Sequence, residues 1–238
     1  MKVADSFLEK IKIAVSGLIE GLRADLLETK AVNKSYLLTV CYAGQPRDTV
    51  IVQDVSWSMG ISDYLPTRLA GGIQAAIEYI NTRAEHCPND RIAVVSFSHT
   101  ARVVVALSSI AAKEKIIKAV RRLSAGGGTD IAEGLKKASE IFQDQLVCTN
   151  DRQIILLTDG HGGHPVGMAN RLKDKCNVVI DVVGIGGSPC DVNVSLLRKV
   201  ATTDPDGLNH YRFIRDSKAL KEHYKQLATG LVWRGEDK

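Results

Sequence analysis

Long apolar segments are absent from this chain. No uninterrupted run reaches the roughly 18 apolar residues that a bilayer-spanning helix needs. The most apolar stretch near the amino terminus, residues 11–19, is bracketed by Glu9 and Glu20, which is atypical of a signal peptide. These absences predict a protein without a membrane span that acts in the cytoplasm.

Several sequence signatures of common functions are also missing. The five cysteines are scattered and include no Cys-x-x-Cys pair, which predicts free thiols in a reducing compartment and no zinc site. No Walker-type Gly-Lys-Ser/Thr loop occurs, so we expect no nucleotide hydrolysis by the chain alone. The net charge is only +4, and the densest basic stretch, residues 113–122, is more typical of a solvated helix face than of a nucleic-acid or lipid patch.

What the chain does contain is a regular alternation of short apolar runs and amphipathic segments. This alternation predicts parallel βαβ units with helices on both faces of the sheet. The predicted strands are 49–54, 91–97, 102–107, 152–158, 177–183 and 210–215, and the predicted helices are 66–85, 111–123, 130–146, 166–175, 192–201 and 217–229. The expected fold class is α/β, a doubly wound and mostly parallel central sheet with one antiparallel edge strand.

The first 46 residues have a different pattern. Apolar residues recur every three or four positions over residues 3–30, which predicts an N-terminal amphipathic helix, followed by a short strand at 36–42. The helix could pack on the chain's own domain, on a partner or second subunit, or on a membrane interface. We therefore divide the chain into an extension, 1–46, and a domain, 47–238.

A cluster of oxygen-bearing side chains follows the first predicted core strand. Asp54, Ser56 and Ser58 alternate along an extended segment and therefore leave the backbone on one side. One carboxylate and two hydroxyls form a poor nucleophile set, but they are suitable ligands for a hard cation. Taken singly, each could equally serve in a turn or a helix cap.

Two later segments offer the remaining ligands. Gly126-Gly127-Gly128 precedes Thr129, and a second apolar strand ends at Asp159. The whole set resembles the metal-ion-dependent adhesion site of von Willebrand factor type A domains, which consists of Asp-x-Ser-x-Ser, a distant Thr and a distant Asp. The matching residues are Asp54, Ser56, Ser58, Thr129 and Asp159.

This resemblance, which covers about residues 47–230, carries specific expectations. It implies a Rossmann-like sheet in which the strands ending at Asp54 and Asp159 are central neighbours. It implies that Ser56, Ser58 and Thr129 bind Mg²⁺ or Mn²⁺ directly, with Asp54 and Asp159 acting directly or through water. A partner's Asp or Glu would complete the coordination, so the chain is expected to be a binding module and not an enzyme.

The sequence is compatible with three functional hypotheses. The first is an intracellular, metal-dependent protein-binding module, as an adaptor or assembly factor for an AAA+ ATPase system. The second is a Mg²⁺-dependent phosphoester hydrolase, which is disfavoured because neither aspartate loop contains a Lys or Arg. The third is structural self-association through the N-terminal helix; the sequence leaves the oligomeric state open.

Other residues near the predicted site have alternatives of their own. Trp57 could pack beneath the metal loop or lie on its rim as a partner contact. His161 and His164 could bind a second metal, although a polar loop facing the ligand is the better interpretation. Asp130 could be a supporting residue behind the metal ligands or the cap of the following helix.

Overall fold

Six strands form one sheet in the computed structural model, which describes residues 46–64, 66–143 and 149–230. The strands are β1 (Arg47–Asp54), β2 (Arg91–Phe97), β3 (Ala101–Ser109), β4 (Asp151–Thr158), β5 (Val178–Ile185) and β6 (Tyr211–Ile214). Their order across the sheet is β3-β2-β1-β4-β5-β6. The β2–β3 pair is antiparallel and every other pair is parallel.

The described residues also form six α-helices. These are α1 (Arg68–His86), α2 (Lys113–Val120), α3 (Ile131–Gln143), α4 (Val166–Cys176), α5 (Val194–Val200) and α6 (Ser217–Thr229). Helix α1 begins later than predicted, because the Thr67 hydroxyl accepts a hydrogen bond from Ala70 N at 3.1 Å and so caps the first turn. The predicted 111–123 helix is shorter than expected, because residues 110–112 form a separate 3₁₀ turn.

Both faces of the sheet are covered, which explains why its central strands contain apolar runs such as Val50–Val52 and Ile154–Leu157. One face packs against α1, α2 and α6 in a core that contains Ile51, Ile155 and Tyr79. The other face packs against α3, α4 and α5 in a core that contains Val52, Leu156 and Phe142. The predicted fold class, with one antiparallel edge strand and helices on both faces, is therefore confirmed.

The sheet topology creates a crevice at the carboxyl ends of β1 and β4. These strands are neighbours, with Val50 opposite Ile154 and Gln53 opposite Leu157. The chain leaves β1 towards β2 and leaves β4 towards β5, on opposite sides of the pair. Such a switch in direction opens a cleft where ligands commonly bind, and Asp54 and Asp159 both lie there.

The predicted N-terminal helix at 3–30 and the strand at 36–42 lie outside the described residues. The division of the chain at residue 46 consequently stays a prediction. Within the part of the chain that the structure describes, no helix combines the length and apolarity required to cross a bilayer.

A line of buried polar side chains crosses the sheet near the amino-terminal ends of its strands. Tyr79 donates a hydrogen bond to Gln153 (2.9 Å), whose amide donates to Asp181 (2.7 Å). Asp181 Oδ1 in turn lies 2.9 Å from His210 Nδ1, and His210 Nε2 lies 3.2 Å from Asp204 Oδ1. Burial alone would lower the pKa of His210, but the hydrogen bonds and charges of the two aspartates raise it to about 9.

This histidine should make stability depend on pH. Because the pKa of His210 rises on folding from 6.5 to about 9, its contribution is complete below pH 6.5 and is lost as the pH rises through 9. We expect the unfolding free energy to decrease by on the order of 2–3 kcal/mol over this interval. Urea unfolding at both ends of the interval measures it.

The matched variants are His210→Gln and His86→Gln. The first removes the titrating ring and should flatten the decrease between pH 6.5 and 9. The second alters an exposed histidine at the end of α1 and should leave the decrease as in the wild type. Equal slopes for the wild type and His210→Gln would contradict the assignment of this pH dependence to His210.

Candidate metal centre

Asp54, the last residue of β1, is fully buried at the crevice. Its Oδ1 accepts a hydrogen bond from Ser56 N at 2.8 Å, and its Oδ2 accepts one from the Thr158 hydroxyl at 2.6 Å. Burial raises the pKa of Asp54 to about 6, although these hydrogen bonds oppose the rise; the charge of Asp159 adds a smaller increase. A carboxyl group with so strongly shifted a pKa is typical of functional sites.

The two serines lie on a short 3₁₀ turn, Trp57–Gly60, and on the residue before it. Ser56 Oγ and Ser58 Oγ are 3.1 Å apart. Ser56 is buried and Ser58 is half-buried. The two hydroxyls therefore form a compact pair beside the Asp54 carboxyl group.

The glycine loop, residues 126–128, is joined to the segment of this turn by backbone hydrogen bonds. Gly126 N donates to Val55 O at 2.7 Å, and Trp57 N donates to Gly127 O at 3.0 Å. Gly127 has a φ of +86°, a conformation that glycine adopts without strain. These contacts bring half-buried Thr129 close to the segment that contains the two serines.

Asp159 follows β4 and is 1% exposed. Its Oδ2 accepts a hydrogen bond from Arg68 Nη1 at 3.3 Å, whereas its buried Oδ1 has no hydrogen-bond partner among the described residues. The loop after Asp159 packs tightly on the glycine loop: a Cβ atom at Gly162 would lie 2.0 Å from Thr129 O. The segments of Thr129 and Asp159 therefore approach each other closely.

Arg68, at the start of α1, was missed by the sequence analysis. Its guanidinium is buried and donates from Nε to Asp63 Oδ1 at 2.9 Å, in addition to its contact with Asp159. The hydrogen bonds from Arg68 hold the pKa of Asp63 below its usual range. Its position in the sequence could have indicated this role. A cation in the first turn of a helix is disfavoured by the helix dipole and needs acidic partners.

The structure decides the alternatives for Trp57 and gives Asp130 one of its two proposed roles. Trp57 is 74% exposed, so the interpretation in which it packs beneath the metal loop is wrong. Asp130 Oδ1 accepts a hydrogen bond from Ala132 N at 2.9 Å, which is the capping role at the start of α3.

The two histidines of the loop after Asp159 are both exposed. His161 Nε2 lies 2.6 Å from the carbonyl oxygen of Asp191 and donates to it. Within the described ranges, no group of three or more His, Cys, Asp or Glu side chains could hold a metal ion. The second metal suggested for His161 and His164 therefore has no carboxylate- or histidine-rich cluster to bind it there.

The residues at the crevice suit a hard divalent cation. Asp54 and Asp159 provide carboxylates, and Ser56, Ser58 and Thr129 provide hydroxyls, all of them oxygen ligands of the kind that Mg²⁺ and Mn²⁺ prefer. The buried Oδ1 of Asp159 lacks a partner in the described chain, and such an atom costs free energy unless a donor or a cation satisfies it. The donor chemistry therefore fits the metal that the resemblance implies.

Comparison with known proteins agrees with this architecture. Residues 49–161 match the family model described as von Willebrand factor type A domain. A protein of Synechocystis described as uncharacterized is 40% identical over 78 residues, which is 32% of this chain and 18% of that protein.

Solved structures share the same fold. A von Willebrand factor type A structure from Catenulispora acidiphila has a TM-score of 0.59 and 25% identity, covering 78% of this chain and 42% of that one. The vWF domain of the type V pili tip protein Mfa5 from Porphyromonas gingivalis has a TM-score of 0.64 and 16% identity, over 82% of this chain and 98% of that domain.

The chain spans less than half the length of the Synechocystis and Catenulispora proteins. At 16% identity, the similarity to the Porphyromonas domain indicates a shared fold only. The family match over residues 49–161 and the structural neighbours together support a von Willebrand factor type A domain in this chain.

Proposed function

We propose that this chain binds a protein partner through a divalent cation held by Asp54, Ser56, Ser58, Thr129 and Asp159. The partner would contribute an Asp or Glu carboxylate, and the cation would be Mg²⁺ or Mn²⁺. The observation that carries the proposal is the buried, unpartnered Oδ1 of Asp159 beside the paired Ser56 and Ser58 hydroxyls. Type A domains form a protein-interaction fold family, which agrees with binding as the function.

Each residue of the proposed site has a distinct role. The hydroxyls of Ser56, Ser58 and Thr129 are neutral ligands, and Asp54 is oriented by the Thr158 hydroxyl and the Ser56 amide. Arg68 fixes one oxygen of Asp159 and leaves the other for the ion. Because neutral ligands compensate little of its charge, a bound cation would supply a coordination position that attracts an outside carboxylate.

The contacts of Arg68 weigh against the phosphoester hydrolase alternative. The sequence contained no basic residue in the two aspartate loops, and Arg68 reaches the site from helix α1 instead. However, Arg68 is only 5% exposed and its guanidinium is bound to Asp63 and Asp159, so it is not available to hold a phosphate. We therefore propose a binding protein without catalytic activity.

The cellular setting belongs to the same proposal. We infer action inside the cell, as an adaptor or assembly factor for an AAA+ ATPase system, from the resemblance and from the scattered cysteines, which suit a reducing compartment. Self-association through the N-terminal segment would be a separate property. Sedimentation of the full chain at several concentrations measures it directly.

Removal of the Thr129 hydroxyl tests the metal site. We expect Thr129→Ala to fold normally, because the residue is half-buried and its side chain is small. We also expect it to lose the rise in unfolding temperature that Mn²⁺ or Mg²⁺ produces in the wild type, an effect worth about 2.7 kcal/mol at a hundred times the dissociation constant. Ser195→Ala, which removes an exposed hydroxyl on α5, is the matched control and should respond as the wild type does.

Partner binding is tested by affinity capture from native lysate on the full chain with Mg²⁺. Proteins that bind through the site should be released by EDTA and should be absent when Thr129→Ala is the bait. Capture that persists in both conditions would contradict a metal-dependent interface.

A further inference from the structure

Apolar exposure is concentrated beside the candidate metal centre. Four large apolar side chains are exposed among the described residues: Trp57 (74%), Ile61 (46%), Val103 (41%) and Val179 (39%). Two of the four, Trp57 and Ile61, lie at the first position of the 3₁₀ turn that contains Ser58 and directly after that turn. Trp57 lies between the two serines in the sequence, and its side chain is exposed to solvent.

The exposure of Trp57 does not result from a loosely held turn. Trp57 N donates to Gly127 O at 3.0 Å, Met59 N donates to Ser56 O at 3.1 Å and Ile61 N donates to Ser58 O at 3.1 Å. Met59 between them is fully buried and anchors the turn in the core. The turn therefore holds Trp57 and Ile61 outward on a fixed backbone, which lowers the entropy cost of binding.

The charges around these two side chains suit an acidic ligand. No charged residue occurs between Trp57 and Ser62. The nearest acid in the sequence after this turn, Asp63, is held by Arg68, with Nη2 and Oδ2 2.5 Å apart, and by Gly187 N at 3.1 Å. A carboxylate that approaches the crevice past Trp57 thus meets an apolar surface and an aspartate whose charge Arg68 offsets in part.

We propose that Trp57 and Ile61 form an apolar subsite that recognises a partner segment in which an aliphatic or aromatic residue lies within two positions of the acidic residue. The subsite rests on the proposed metal-dependent binding and adds the selectivity that a carboxylate alone cannot provide. Tryptophan is among the residues that most often dominate interface energetics, since its ring buries a large area at little entropy cost. The occupant is a foreign peptide segment, and neither a second copy of this chain nor its own terminal residues.

The experiment is selection of random peptides displayed on phage against the full chain loaded with Mn²⁺, with elution by EDTA. We expect the wild type to enrich peptides that carry Asp or Glu next to an apolar residue. Trp57→Ala should still enrich acidic peptides but should lose the preference for the apolar neighbour. It should bind a peptide selected on the wild type roughly tenfold or more weakly.

The controls distinguish the apolar subsite from the metal-dependent binding on which it rests. Val103→Ala removes an exposed apolar side chain from the edge strand β3 and should select the same peptides as the wild type. Trp57→Phe, which keeps an aromatic ring, should retain most of the preference. Acidic enrichment without an apolar preference on the wild type would overturn the subsite alone, whereas no acidic enrichment would overturn the metal-dependent function and the subsite with it.

A fluorescence measurement tests the alternative occupants. The chain contains two tryptophans, so the acrylamide quenching of Trp57 follows from the difference between the wild type and Trp57→Phe. We expect Trp57 to be fully accessible in the free chain at every protein concentration. Protection at all concentrations, which would mean cover by the chain itself, or protection that grows with concentration, which would mean a second copy, overturns the proposal.

Discussion

Substitution of Gly162 by alanine is expected to weaken metal binding by more than about tenfold while the domain stays folded. Gly162 has a φ of +111°, where side chains other than hydrogen are strained, and its Cβ would lie 2.0 Å from Thr129 O. The obstacle is backbone, so it cannot rotate away as a flexible side chain would. The loop after Asp159 must then move away from Thr129, which separates two of the five proposed ligands.

Gly162→Ala should lose little stability, because the strain is confined to one loop. Backbone strain of this type costs about 1–3 kcal/mol, which a domain of this size should tolerate. Loss of coordination geometry should weaken Mn²⁺ and Mg²⁺ binding by more than about tenfold, since the octahedral preference of Mg²⁺ leaves little latitude. Thermal unfolding with metal and with EDTA, together with calorimetric titration of Mn²⁺, measures both consequences.

Gly167→Ala is the matched control. Gly167 lies in α4 with a negative φ, and a methyl group added there would meet no heavy atom within 4 Å. This alanine should leave metal binding unchanged and alter stability by less than about 1 kcal/mol, because alanine favours helix. A wild-type metal response in Gly162→Ala would show that the contact with Thr129 is not needed for the site.

The fold could be predicted from sequence because most of its strands are buried on both faces. Strand β2, for example, matches the predicted 91–97 at both ends, since its apolar run is bounded by polar turns. The central strands β1, β4 and β5 each contain an apolar run for the same reason, such as Ile154–Leu157 in β4. Helix ends were less predictable, because side-chain caps such as Thr67 decide them.

The site could be predicted only in part. The sequence identified Asp54 and Asp159, but not the support that each receives from another element. Thr158 bonds to Asp54 across 104 positions, and Arg68 reaches Asp159 across 91. Such pairs depend on strand register and helix position, which residue patterns specify weakly. The five residues as a metal site remain a prediction.

Trp57 illustrates a different limit of sequence reasoning. Trp57 and Met59 are both apolar and both lie in the 3₁₀ turn that contains Ser58, so composition gives no reason to bury one and expose the other. The backbone hydrogen bonds of the turn make the choice, directing Met59 into the core and Trp57 into solvent.

Replacement of Arg68 by methionine should destabilise the domain, and the loss should depend on metal. The substitution keeps the apolar volume of the side chain but leaves the buried Asp159 without a partner on either oxygen among the described residues. Loss of one member of a buried ion pair costs about 3–5 kcal/mol. In EDTA we expect the unfolding free energy to decrease by an amount near the lower end of this range, because Asp63, the other partner of Arg68, is partly solvated.

Saturating Mn²⁺ or Mg²⁺ should restore part of that stability, because a cation at the crevice gives the Asp159 carboxylate a new positive partner. Arg83→Met is the matched control: Arg83 is equally buried and pairs with Asp90, but it lies about 22 Å along α1 from Arg68. Its decrease in unfolding free energy should be the same with metal and with EDTA. If both variants lose the same stability in both conditions, the cation does not reach Asp159, and the proposed ligand set must exclude it.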